Sequence, residues 1–168
     1  MSSTPIPSVA PIALQAGEGD ARWFLGALGT IKASADATAG RLAVLEFRWP
    51  KDTGSPLHVH HNEDEWFYVI NGELTLWVGG ELIVAPTGSF VYGPRDIPHT
   101  FLVTSAPEAR FLMVTEPGPF ANFVRAMSEP AQALTLPPAS VQPPSPEELT
   151  AAAAEYGIEI LGPPGIPA

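Results

Sequence analysis

The chain has 168 residues and a formal charge of −10, from 18 acidic and 8 basic side chains, which is long enough for one domain with its own core. Nucleic acid and anionic membrane surfaces are bound largely through Lys and Arg, so this charge excludes both as expected partners. With no cysteine, disulfides, thiolate metal ligands and Cys nucleophiles are excluded too.

Apolar residues make up 45% of the chain and charged residues 15%, the balance of a globular protein rather than a disordered one. Residues 1–16 lack the basic start and apolar stretch of a signal peptide. No apolar run approaches the ~20 residues of a membrane span. The expectation is a cytoplasmic protein.

In chain order, residues 1–20 read as a Ser/Pro/Ala-rich arm, with Ile6, Val9, Ile12 and Leu14 as docking contacts. Residues 21–127 read as the body, and 128–168 as a Pro-rich linker followed by a helix that packs on it. Trp23 to Ile31 is apolar and is expected to form the first strand. Leu42 to Trp49 alternates, which places Ala43, Leu45, Phe47 and Trp49 on one face. Seven short strands follow, at about 58–61, 65–70, 73–78, 81–85, 89–92, 99–103 and 110–115. Asn71-Gly72, Gly79-Gly80, Pro86-Thr87-Gly88 and Gly93-Pro94 supply the turns between most of them. Short strands without crossover helices predict an all-β antiparallel sandwich or barrel. A short helix is expected over 119–127. A second should be capped by Ser145 with Pro146 at its first position, and should stop at Gly157.

Chemistry concentrates in two stretches. His58 and His60 are two apart, so on a strand both imidazoles share one face, about 6.6 Å apart along the backbone. Glu65 opens the next strand with Phe67 and Val69 on its face, so its carboxylate points into apolar surroundings and calls for a cation. His99 follows the stiff run Gly93-Pro94-Arg95-Asp96-Ile97-Pro98. Three imidazoles and a carboxylate suit one divalent ion: iron, nickel, cobalt, manganese, copper or zinc.

The spacing His58-x-His60, four residues, Glu65, six residues, Gly72 resembles the first motif of the cupin superfamily. Gly88, five residues, Pro94, four residues, His99 resembles the second. Asp52 stands at the family's leading glycine, Asp96 at the second motif's internal glycine, and Val103 at its trailing Asn. Residues 56–69, 94–101 and 156–163 are similar to single-domain cupins of the bacterial quercetin 2,3-dioxygenase type, a likeness covering most of 17–165.

The resemblance implies a cupin-type antiparallel β-barrel (jelly roll) with an extended N-terminal arm and short C-terminal helices, assembled as a homodimer. It implies metal ligation by His58, His60, Glu65 and His99. It also implies a dioxygenase that binds a flavonol-like small molecule and dioxygen, with Glu65 as both ligand and catalytic base. The alternatives are a cupin isomerase, cyclase or decarboxylase without oxygen chemistry, and a non-enzymatic small-molecule binder.

Phe47, Phe67, Leu76, Phe101, Phe111 and Met113 are the candidate substrate pocket, with plain core packing as the competing role. His61 faces away from the ligands and reads as a surface or interface histidine. Glu63 and Asp64 read as solvated loop acids, and Arg95 and Asp96 as an ion pair at the barrel mouth. Trp66, Tyr68 and Ile70 are expected to pack under the arm, the C-terminal helix or a second subunit.

Overall fold

The computed structural model describes residues 9–167. Twelve strands and two α-helices run in chain order. The first strands are β1 (Asp20–Phe24), β2 (Ala27–Ala33), β3 (Ala43–Pro50), β4 (Pro56–His60), β5 (Asp64–Asn71) and β6 (Glu73–Val78). Then come β7 (Glu81–Pro86), β8 (Phe90–Gly93), β9 (His99–Val103) and β10 (Glu108–Glu116). Helix α1 (Phe120–Ala126), β11 (Ser128–Pro130), helix α2 (Pro146–Glu155) and β12 (Ile158–Pro164) complete the fold.

The strands form two antiparallel sheets, ordered β11-β1-β2-β3-β10-β5-β8 and β12-β4-β9-β6-β7. This is the expected jelly-roll architecture, although the two sheets do not close into one continuously hydrogen-bonded barrel. Between them lies an aromatic core. Phe24, Phe47, Trp49, Phe67, Phe101 and Phe111 contact one another at centroid separations of 5.0 to 6.4 Å. The alternation in β3 holds: Ala43, Leu45, Phe47 and Trp49 are all buried.

Two expectations need correction. The apolar run 23–31 is not one strand but parts of two, β1 and β2, joined at Leu25-Gly26. Both turn residues have positive φ, 51° and 84°, which suits a tight hairpin. Gly26 suits that conformation but a bulky Leu rarely takes it, so the pair does not read as a turn within an apolar run. The segment after residue 127 also does more than pack on the body. β11 pairs with β1 and β12 pairs with β4, so the chain's last part is hydrogen-bonded into both sheets.

Of the arm's apolar residues, Ile12 and Leu14 are exposed and Val9 is half-buried; Ile6 lies outside the described residues. Trp66 stacks on Tyr92 at 5.7 Å, while Tyr68, Phe90 and Tyr92 are exposed. No described part of the arm or of α2 covers this face. None of the described helices is long and apolar enough to cross a membrane.

Helix α2 starts as its sequence dictates. The Ser145 hydroxyl accepts from the Glu148 backbone N–H at 3.2 Å, and the Glu148 carboxylate accepts from the Ser145 N–H at 2.9 Å. This reciprocal pair satisfies two donors that the helix itself leaves bare. Ser145→Ala is expected to lower unfolding free energy by about 1 kcal/mol, read from the midpoint of chemical denaturation.

Candidate metal centre

Strand pairing assembles the centre from both sheets. β4 carries His58 and His60, and β9 carries His99 as the direct cross-strand partner of His58. Glu65 reaches in from β5 in the opposite sheet, where it pairs with Gly93 of β8. The turns that deliver these strands keep left-handed backbone at both departures from the cupin glycines. Asp52 has φ 62° and Asp96 φ 63°, a region that Asp tolerates better than most residues. Gly54 cannot be replaced so easily. A Cβ there would lie 1.8 Å from the Phe101 carbonyl oxygen, so only glycine lets this loop lie against β9.

The imidazoles are oriented by their outer nitrogens. His58 Nδ1 donates to the Pro56 carbonyl at 2.8 Å, and His99 Nδ1 to the Ile97 carbonyl at 2.9 Å. His60 Nδ1 meets Glu63 Oε1 at 3.0 Å. A carbonyl only accepts, so the tautomers assigned from these partners place hydrogens on Nδ1 and turn Nε2 inward. His58 Nε2 and His60 Nε2 then lie 3.1 Å apart. His99 Nε2 lies 3.0 Å from Glu65 Oε2. Ligand atoms of the four residues all fall within 4.8 Å of one another.

Two inward lone pairs at such a distance repel unless a proton or a metal cation sits between them. The residues therefore fit a divalent ion, which would be held by His58, His60, Glu65 and His99. At His58 and Glu65 the electrostatics favour the ligand forms, a neutral imidazole and a carboxylate, while at His99 the Glu65 carboxylate favours the protonated ring. Burial, then the neighbouring His99 and His60, holds His58 well below the ordinary histidine pKa. Burial pushes Glu65 up, but the His99 hydrogen bond and the charges of both imidazoles outweigh it and leave the carboxyl low. Burial lowers His99, and Glu65 more than reverses it.

The polar surroundings differ from the sequence expectation. Glu63 is not a solvated loop acid: it is 1% exposed and orients His60. Its signal was its place three residues after His60, where the β4–β5 connection folds back. Arg95 and Asp96 do not pair with each other. Arg95 clamps Asp64 with Nε and Nη2 at 3.1 and 3.0 Å, and holds Asp64 below the ordinary carboxyl value. Asp96 accepts from His61 at 2.8 Å, and Glu159 of β12 takes the other His61 nitrogen at 3.2 Å. Adjacent residues in a turn point apart, so each charge found a partner on another element.

A cavity of about 40 Å³ lies beside His58 and Glu65. Of the expected pocket residues, Phe47, Phe101 and Met113 line it. Phe67, Leu76 and Phe111 do not; they are buried in the core. Alternation reports which face of a strand points inward, but not where along the strand packing leaves a gap. Leu25, Phe120, Phe123, Leu149 and Ile158 are among the other wall residues. These come from the β1–β2 turn, both helices and β12, elements that the motif pattern does not reach.

The cupin domain family matches residues 45–115, the span that contains all four candidate ligands. This chain carries a cupin domain. The quercetin 2,3-dioxygenase of Bacillus subtilis is 30% identical over 135 residues, covering 80% of this chain. The match covers only 40% of that protein's length. Two solved structures share the fold. A predicted oxalate decarboxylase from Thermotoga maritima superposes with TM-score 0.58 at 18% identity, over 62% of this chain and 98% of that one. An RmlC-like cupin from Shewanella frigidimarina gives 0.54 at 17% identity, over 62% and 89%.

Around the cupin domain's ligands, two outcomes are expected. A carboxylate on a ligand imidazole typically contributes roughly 10–100-fold in metal affinity. Glu63→Ala should therefore weaken metal binding by about that factor in a chelator-competition titration. Glu63→Gln, which keeps an acceptor oxygen, should lose less.

His61 is raised above its ordinary pKa by hydrogen bonds to Asp96 and then Glu159. A raised folded-state pKa gives stabilisation that is complete below the unfolded value of about 6.5 and fades as pH climbs through the folded value. The melting-temperature gap between the parent and His61→Ala should be wider at pH 6 than at pH 9.

Proposed function

We propose that the protein is a metal-dependent dioxygenase acting on a flavonol-like, enolisable aromatic. The observation that carries this reading is a three-histidine, one-glutamate cluster opening onto an aromatic cavity without a cationic wall. The 30% identity to a quercetin 2,3-dioxygenase over 80% of this chain supports the same class.

The cavity wall discriminates among cupin chemistries. Its only polar or ionisable members are Ser55, His58 and Glu65, along with the indole N–H of Trp49, and none is Lys or Arg. Arg95, the cation nearest His99 in sequence, is engaged by Asp64 and the Asn62 carbonyl. A small dianion would find no counter-charge besides the bound metal, whereas an uncharged aromatic ring matches Phe47, Phe101 and Phe120. That weighs against a decarboxylase of oxalate-like acids.

A divalent transition ion in this site supplies Lewis acidity toward an enolic hydroxyl and access to dioxygen. The chain's own residues do the rest. Glu65 Oε2 lies 3.0 Å from His99 Nε2, while Oε1 lies 3.9 Å from His60 Nε2 with no closer hydrogen-bond partner among the described residues. Oε1 is thus the oxygen placed to take the substrate's hydroxyl proton. The low carboxyl pKa keeps Glu65 ionised before substrate arrives. Trp49 lines the same cavity, and its buried Nε1–H has no partner among the described residues. A substrate oxygen would satisfy that donor. The aromatic walls exclude bulk water from the oxygenated edge that reacts.

Protein loaded separately with iron, nickel, cobalt or manganese is expected to consume dioxygen when quercetin is added, followed with an oxygen electrode. Glu65→Gln should lower that rate by about a hundredfold or more, the scale of losing a general base. No oxygen uptake with any of the metals would overturn the proposal for this substrate.

A further inference from the structure

The cavity beside the ligands is small. At about 40 Å³ it holds a few water-sized molecules, far below the roughly 300–1,000 Å³ of sites that enclose organic ligands. Directly outside it lies a second, apolar hollow of about 440 Å³, which falls within that range. The two share Leu25, Pro56, Leu149 and Ile160 as walls. Those four residues come from the β1–β2 turn, β4, α2 and β12. Pro56 is also the residue whose carbonyl orients His58. The outer hollow therefore adjoins the candidate centre, divided from it only by three aliphatic side chains and a proline.

The chemistry of the outer hollow is narrow. Prolines 143, 144, 146, 163 and 164 make up much of its wall, and it contains no ionisable side chain. Its single hydroxyl, on Thr150, is already donated to the Pro146 carbonyl at 2.7 Å. Sugars, phosphates and carboxylates would lose hydration there without compensation. A flat, uncharged ring loses nothing by entering.

We infer that this hollow is the outer half of the substrate site. It seats the distal rings of an aromatic substrate, while only the chelating edge passes Leu25, Leu149 and Ile160 to reach the histidines. The inference rests on the proposed reading of the metal site and adds the class of ligand: a multi-ring aromatic with one oxygenated edge, longer than the inner cavity alone can hold. The elements that form the partition are the ones the C-terminal segment and the first hairpin bring together. Ring size is then selected by parts of the chain that lie outside the cupin domain match.

Thr150 and Gly162 line the outer hollow but not the inner cavity. Thr150 is exposed on α2, whereas Gly162 pairs with Leu57, so a side chain there would turn toward Leu57 and away from the hollow. Thr150→Phe and Thr150→Trp therefore fill the hollow to increasing depth without touching a metal ligand. The test is binding without oxygen, to cobalt-loaded protein whose fold and metal content are checked by circular dichroism and elemental analysis. Two probes are titrated: quercetin, and maltol, which carries a similar chelating edge on a single ring.

Both variants are expected to weaken quercetin by about tenfold or more while maltol shifts by less than about twofold. Quercetin binding unchanged in both variants would overturn the inference, as would equal loss of the two probes or a parent that does not bind quercetin. Because no turnover is measured, a protein that binds quercetin selectively yet consumes no oxygen would sink the reaction and leave the subsite standing.

Discussion

Everything at the candidate centre depends on three imidazoles whose outer nitrogens are already committed. His58 and His99 are tied to backbone carbonyls of their own approach segments, and His60 to a buried carboxylate. Each tie fixes a ring and turns a lone pair toward one point between the sheets. Aiming three lone pairs and a carboxylate at one place inside an apolar sandwich is unfavourable without a cation. The surrounding fold holds that arrangement in advance, so an ion finds its ligands placed rather than having to gather them.

The supporting structure follows from this demand. His58 and His99 are cross-strand partners, so their separation is set by the spacing of adjacent strands. Glu65 has to cross from the other sheet, and the Arg95–Asp64 clamp anchors the start of its strand to the loop that leads to His99. Gly54 lets the approach to β4 lie against the backbone of β9. Asp52 and Asp96 hold left-handed turns where the cupin pattern has glycine. The same backbone path is kept by a residue that loses less conformational freedom on folding.

The apolar side of the site is built differently. Strands β3, β9 and β10 provide Phe47, Phe101 and Met113, while the first hairpin, α1, α2 and β12 close over them. The cupin match ends at residue 115, before either helix begins. The candidate ligands and most of the added cavity wall are thus divided along the chain. Under the proposed function, the shared domain would hold the ion and the flanking segments would shape what reaches it.

The sequence by itself determined the candidate ligands and the sheet class. His58, His60, Glu65 and His99 were legible because strand geometry has a period of two and because metal chemistry needs those groups at those spacings. Most strands were legible from turn residues such as Asn71-Gly72 and Gly79-Gly80, and α2 from Ser145, Pro146 and Gly157. Only the tertiary structure decided the role of Glu63, the partners of Arg95 and Asp96, the split at Leu25-Gly26, and which of six aromatic and aliphatic candidates face the cavity. Each of these depends on contacts between segments far apart in the chain. Local pattern records which way a side chain points, whereas burial, charge pairing and cavities are set by what another segment places opposite it.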